Sequence, residues 1–236
     1  MINFDKLKDA YADLEVLASG LDEGAKAYIE HIRNDIMEFM IDNEPVKKGT
    51  VSLWDFTSHD NNRLVMTGVY HDKERKVAVA TDGHVLVADK DIYDENKTDN
   101  TDKFAGRMPV DKYGKFIDGR YPNWHDVVPE KTNEFKTFHI TVKDVDEYIK
   151  KCNAFMKLNG FTGRYAEKPV YYVKEADAWF NANYLRMFLL ASDGEINISD
   201  PVHAACYWGP TRTAILMPLY KNENFDKGDG IYLTTN

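Results

Sequence analysis

Cysteine is nearly missing from this 236-residue chain: Cys152 and Cys206 are the only two, and they stand in no metal-type spacing. That argues against a disulfide framework or a thiolate metal centre, and two reduced thiols are expected. Long apolar runs are also missing. No stretch approaches the roughly 18 apolar residues of a spanning helix, and MINFDKLKDAYADLE alternates charges where a secretory signal would be apolar, so a cytoplasmic location is expected. The glycines form no G-x-S-x-G, P-loop or dinucleotide-binding pattern, which leaves no signature of nucleophilic or nucleotide chemistry. Outside the ATDGH turn, the histidines (His31, His59, His71, His125, His139, His203) show no close pairing of the zinc type, and neither a metal nor any other cofactor is expected. Positive charge is in deficit, with a net of −9, so a generic basic nucleic-acid binder is disfavoured and local placement of Lys and Arg matters more than the total.

What is present is the composition of a soluble globular protein, 43% apolar and 29% charged. The amino-terminal part reads as helical. Phe4, Leu7, Tyr11, Leu14 and Leu17 or Ala18 recur at three- and four-residue intervals, and Ala25, Tyr28, Ile29, Ile32, Ile36, Phe39 and Met40 do so between Asp22 and about Asn43. The texture then changes to short runs rich in β-branched and aromatic residues, VSLWDF, LVMTGVYHD, KVAVATDG and HVLVAD, which predict antiparallel strands. Residues 92–116 are polar and aperiodic and read as a loop or a reduced element. FHITVKDVDEYIKKCNAFMKL predicts a strand leading into a helix, KPVYYVKEADAWF a hairpin, and NANYLRMFLLASDG a helix capped by Asn181 or Asn183 and ended at Gly194. INISD, HAACYW and TAILMPLY read as strands, and GIYLTT as a last short strand in a polar tail over 221–236.

Within VAVATDGHVLVADK, Thr81-Asp82-Gly83-His84 joins a carboxylate and an imidazole at one turn. Asp-Gly between two strands is first of all a hairpin signal, because Gly tolerates positive φ and Asp bonds nearby backbone amides. An acid/base pair of Asp82 and His84 is a weaker reading, since no nucleophile or oxyanion-binding loop accompanies it. Paired carboxylates such as Asp42 with Glu44, or Asp91 with Asp94, lie in polar surroundings and read as solvated surface.

Three stretches, in order, resemble the bacterial sliding clamp, the beta subunit of DNA polymerase III: NRLVMTGVYHDKERKVAVATDGHVLVA, IDGRYPNWHDVVPE, and FNANYLRMFL followed by INISDP and TAILMPLY. The resemblance covers residues 62–89, 117–130 and 180–220. It implies an α+β, DNA-clamp-like fold with helices packed on curved antiparallel sheets, and no enzymatic activity. The expected organisation is an N-terminal helical segment over 1–48, an abbreviated clamp-like unit over 49–130 and a C-terminal clamp-like unit over 131–236. The implied function is replication or repair accessory work, in which double-stranded DNA is bound non-specifically, as an oligomeric ring or partial ring, and polymerase-type partners are tethered at high effective concentration.

The resemblance also implies a peptide-binding pocket made of Met66, Thr81, Gly83, His84, Val85, Leu86, Pro122, Val127, Ile215, Met217 and Pro218. Its apolar character and two methionines suit the aliphatic and aromatic anchors of short linear peptides. Val85 stands where the family typically has Arg, which removes a cation from the expected rim. For DNA, helix 142–157 carries four Lys against three carboxylates, whereas helix 24–44 carries two cations against five carboxylates. Lys143, Lys150, Lys151 and Lys157 are therefore the expected phosphate contacts. The acidic first helix and the shortened middle also fit an alternative, a clamp-fold interaction module or regulator that does not encircle DNA.

Overall fold

The computed structural model describes residues 4–43, 51–101, 103–158 and 168–219. The strand expected over GIYLTT lies outside them. Contacts divide the chain into two compact units, residues 1–50 with 111–115, and residues 51–110 with everything from 116 onward.

The first unit is a helix pair, α1 (Phe4–Ala18) and α2 (Glu23–Asn43). Asp22 caps α2, its Oδ1 accepting the Ala25 amide at 2.9 Å. The periodic residues Leu7, Tyr11, Leu14 and Ala18 on α1, and Ala25, Ile29, Ile32 and Ile36 on α2, are half-buried. Arg33 ties the two helices together by reaching Glu15 and Glu30 at 3.1 Å each, with its guanidinium 4.5 Å from the Tyr11 ring centroid. Tyr28 and Phe39, expected on the stripe, are exposed.

The second unit is α+β, with helices packed on antiparallel sheet. Its strands are β1 (Tyr70–Asp72), β2 (Val77–Thr81), β3 (Val85–Asp89), β4 (Lys136–His139), β5 (Val170–Val173), β6 (Ala178–Asn181), β7 (Glu195–Ile198), β8 (Ala205–Trp208) and β9 (Arg212–Leu216). Seven form one sheet in the order β1-β2-β3-β9-β8-β7-β4, and β5 and β6 form a separate hairpin. β3 pairs with β9, so the stretches on either side of residue 130 contribute to a single sheet. Two helices, α3 (Val142–Leu158) and α4 (Ala182–Ala191), pack on one face. Asn181 caps α4 by accepting the Asn183 and Tyr184 amides at 3.0 and 3.4 Å.

Period-two alternation explains why β2 and β3 are buried at every residue. Ala78, Ala80, Val85 and Val87 join the helix-side core with Val145, Tyr148, Leu185, Phe188 and Leu216. Val77, Val79, Leu86 and Ala88 join a second core on the opposite face with Tyr121, Trp124 and Ile215. Cys152 belongs to the first core and Cys206 to the second, both as free thiols.

Two expected strands are corrected. VSLWDF forms a 3-10 turn, Leu53–Phe56, because Ser52 and Asp55 make a reciprocal capping box: Ser52 Oγ accepts the Trp54 amide and Asp55 Oδ2 accepts the Ser52 amide. In LVMTGVYHD the strand starts only at Tyr70. Asp60 caps a 3-10 stretch over Asn61–Thr67, and local side-chain acceptors win over the β preference of Val65 and Thr67. In α3, Met156 rather than Phe155 takes the buried position; Phe155 is 44% exposed.

His71 on β1 gives the fold a measurable pH dependence. It is 4% exposed, and its Nδ1 accepts the Asp94 amide at 3.1 Å, which leaves the ring proton of the neutral form on Nε2. Burial pushes its pKa down to about 4; Lys97 adds to the shift and Asp94 opposes it. Below the ordinary value of about 6.5 the unfolded chain takes up a proton that the native state refuses. Stability is therefore expected to fall by on the order of 3 kcal/mol as pH drops from about 6.5 to about 4, and to be flat in this term above that window. Urea unfolding against pH checks this. His71→Asn should remove that part of the slope, and an unchanged slope would assign it to other groups.

Candidate functional site

The Thr81–His84 turn between β2 and β3 is held by its own side chains. Asp82 Oδ1 accepts the His84 and Val85 amides at 2.8 and 3.0 Å. Thr81 Oγ1 donates to the Val85 carbonyl at 2.8 Å and accepts the Gly83 amide at 3.0 Å. Gly83 sits at φ +95°, and a Cβ there would come within 2.8 Å of Arg63 Nη1, the atom that donates to the Asp82 carbonyl at 3.1 Å. The backbone conformation asks for glycine here, and a side chain would in addition displace the Arg63 guanidinium.

The His84 ring stacks on Tyr184 of α4, with centroids 4.9 Å apart and planes 8° from parallel. Burial, with the nearby Asp82 carboxylate second, pushes the Tyr184 phenol up to about 12, so it is neutral at physiological pH. Asp82 Oδ1 thus serves backbone amides, while His84 Nδ1 lies 3.8 Å from it. The geometry is that of a braced turn. Finally, the Met217 amide donates to the His84 carbonyl at 2.9 Å and ties the turn to the end of β9.

Register explains why residues far apart in the chain meet beside this turn. Thr81 pairs with Leu86 and Leu86 with Ile215, so the three lie abreast on one face of the sheet. They border a cavity of about 230 Å³, together with Met66, Gly83, His84, Val85, Pro122, Asn123, Trp124, Val127 and Met217. Leu86, Ile215 and Trp124 are buried, while Val127 and Met217 are 55% and 46% exposed. A volume below the roughly 300–1,000 Å³ of small-molecule pockets suits one or two apolar side chains of a larger ligand.

Of the residues named from the sequence, Pro218 alone does not border this cavity; it is half-buried next to Met217. Val85 borders it but does not stand on its rim. It is 1% exposed and belongs with Val87 to the helix-side core, so an apolar residue is what the position requires. The cation nearest the turn is Arg63, from the 3-10 stretch, which residue types alone did not single out. Asn123 and Trp124 were also missed as wall residues. Trp124 lies inside the quoted NWHD segment, and its indole Nε1 donates to Asp72 Oδ2 at 2.9 Å.

The four lysines named for phosphate contact are exposed on α3. The carboxylates of that helix are engaged locally: Asp144 with Thr141 at its start, Asp146 with Arg186, and Glu147 with Lys143 at 3.9 Å. Among the described residues none forms an ion pair with Lys150, Lys151 or Lys157. Also among the described residues, no group of three or more His, Cys, Asp or Glu is placed to hold a metal ion, and no helix is long and apolar enough to cross a membrane.

Compared by sequence, the chain matches no protein-family model and no curated protein. Compared by structure, it is similar to bacterial sliding clamps. The DNA polymerase III subunit beta clamp of Bartonella birtlesii, bound to griselimycin, is 14% identical, with a TM-score of 0.49 over 71% of this chain and 62% of that one. The beta clamp of C. crescentus is 17% identical, with a TM-score of 0.47 over 76% and 69%. The beta subunit of Thermotoga maritima is 13% identical, with a TM-score of 0.49 over 80% and 64%. The chain thus spans less than two thirds of the Bartonella and Thermotoga clamps.

Proposed function

We propose that this is a non-enzymatic, clamp-like accessory protein that binds short linear peptides in the cavity beside the Thr81–His84 turn and double-stranded DNA through α3. The observation that carries the reading is the cavity itself. Met66, Leu86, Pro122, Val127, Ile215 and Met217, drawn from three separate stretches of sequence, border one apolar recess with an exposed mouth. Such a recess accepts an aliphatic or aromatic anchor. Its role would be to hold a polymerase-type partner near DNA, which raises local concentration and needs no chemistry.

The DNA part rests on the lysines of α3, whose neighbouring carboxylates are already occupied. Each phosphate neutralised should contribute about 0.9 to the dependence of log affinity on log salt. Lys150→Gln together with Lys151→Gln is therefore expected to lower that slope by about 2 in duplex-DNA binding measured by fluorescence anisotropy. Both side chains are exposed, so thermal stability should not move. An unaltered slope, or no DNA binding by the parent chain, would leave the second reading, a peptide-binding module that does not engage DNA. The exposed acidic side chains of α2, Glu23, Glu30 and Asp35, favour that reading.

A further inference from the structure

A second cavity, of about 420 Å³, adjoins the apolar one, and Pro122, Asn123 and Trp124 border both. Its character is different. Lys73, Arg75, Arg107 and Arg120 line it along with Asp72, Glu74 and Asp99.

Following each charge to its partner leaves a remainder. Asp72 accepts the Glu74 and Arg75 amides at 3.0 and 3.1 Å, Arg75 Nη1 at 3.3 Å and Trp124 Nε1 at 2.9 Å. Glu74 pairs with Arg75 at 3.4 Å. Asp99 accepts the Thr101 amide and hydroxyl at 2.9 and 2.7 Å and the Met108 amide at 3.1 Å. Burial alone would raise the Asp99 carboxyl, yet these bonds outweigh it and hold the group below its ordinary value. Lys73 bonds the Asn100 side-chain oxygen at 2.8 Å. Among the described residues, Arg107 and Arg120 pair with no carboxylate, and Arg107 Nε is shut off from solvent without an acceptor.

Two guanidinium groups that line a cavity without a carboxylate partner leave charge and donors for an anion that enters it. The planar fork of Arg matches a carboxylate with two parallel bonds. We infer that Arg107 and Arg120 form an anion subsite for an acidic side chain of the same peptide whose apolar anchor fills the neighbouring cavity, with Trp124 as the shared partition. The inference rests on the peptide reading above. A single carboxylate fits better than a nucleic-acid backbone, because a run of phosphates would also meet Asp72, Glu74 and Asp99 in the same wall. The subsite makes the protein selective for anchors that carry a nearby Asp or Glu.

The test uses the full chain and two fluorescein-labelled octapeptides. Both carry one leucine-phenylalanine anchor, flanked on each side by Asp in one peptide and by Asn in the other. The Asp peptide is expected to bind about tenfold more tightly, with the preference shrinking as salt rises. In Arg107→Gln/Arg120→Gln the ratio of the two affinities should collapse to about one. Arg120→Gln alone, on an exposed side chain, should lower it part of the way, and Arg107→Lys should lower it despite keeping the charge, since the fork is lost. Equal binding of both peptides by the parent chain, or a ratio unmoved by the double variant, overturns the anion subsite and leaves the apolar groove standing. Binding of neither peptide overturns both.

Discussion

Met217→Glu is expected to weaken binding of a leucine-phenylalanine anchor peptide by about thirtyfold or more while leaving the folded protein intact. The reason is a difference between the empty and the filled cavity. Met217 is 46% exposed just after β9 and borders the recess together with Met66 and Leu86. In the free protein a glutamate there keeps its water, and exposed substitutions of this kind usually shift stability by no more than about 0.5 kcal/mol. In the complex an apolar anchor would strip that water without returning a hydrogen bond, and interface positions of this kind are worth roughly 2 kcal/mol or more, or about thirtyfold. The tether from the Met217 amide to the His84 carbonyl uses backbone atoms and survives the change. Anisotropy titrations beside a thermal melt make the comparison. Unchanged affinity with an unchanged melt would mean that peptides do not use this recess.

Asp72→Ala should be strongly destabilising, by about 3 kcal/mol or more. The carboxylate is 5% exposed and accepts two backbone amides, the Arg75 guanidinium and the Trp124 indole. Removing it leaves the indole N–H of buried Trp124 without its acceptor and frees the amides of the Glu74–Arg75 turn, a larger cost than the net worth of any one bond. Asp72→Asn keeps an oxygen for one or two of these donors and should cost less. Urea unfolding followed by tryptophan fluorescence separates the variants. A loss for Asp72→Ala within about 0.5 kcal/mol, the ordinary surface range, would mean that water replaces the carboxylate.

Features written in short-range pattern were legible in the sequence. The three- and four-residue spacing of α1 and α2, the Asn181 cap of α4 and the Asp-Gly turn before β3 all appear where local rules put them. Where two local rules competed, the stronger was harder to see. VSLWDF has strand-like residues, but Ser52 and Asp55 satisfy amides that a neighbouring strand would otherwise have to satisfy. The cavity was legible only through resemblance, because Leu86 and Ile215 become neighbours through strand pairing across the sheet. The Trp124–Asp72 bond joins residues 52 positions apart, and nothing in NWHD or YHD announces it. Val85 borders the cavity, but the alternation of HVLVAD puts its side chain on the side of Val87, in the helix-side core and away from the rim.

That alternation has a consequence for how the protein can change over generations. β3 presents Leu86 and Ala88 to the recess side and Val85 and Val87 to the helices, so a single strand serves two interiors at once. One residue inserted within β3 itself would exchange the two sets beyond it and place each against the wrong neighbours, whereas the turn before Val85 can take one as a longer loop.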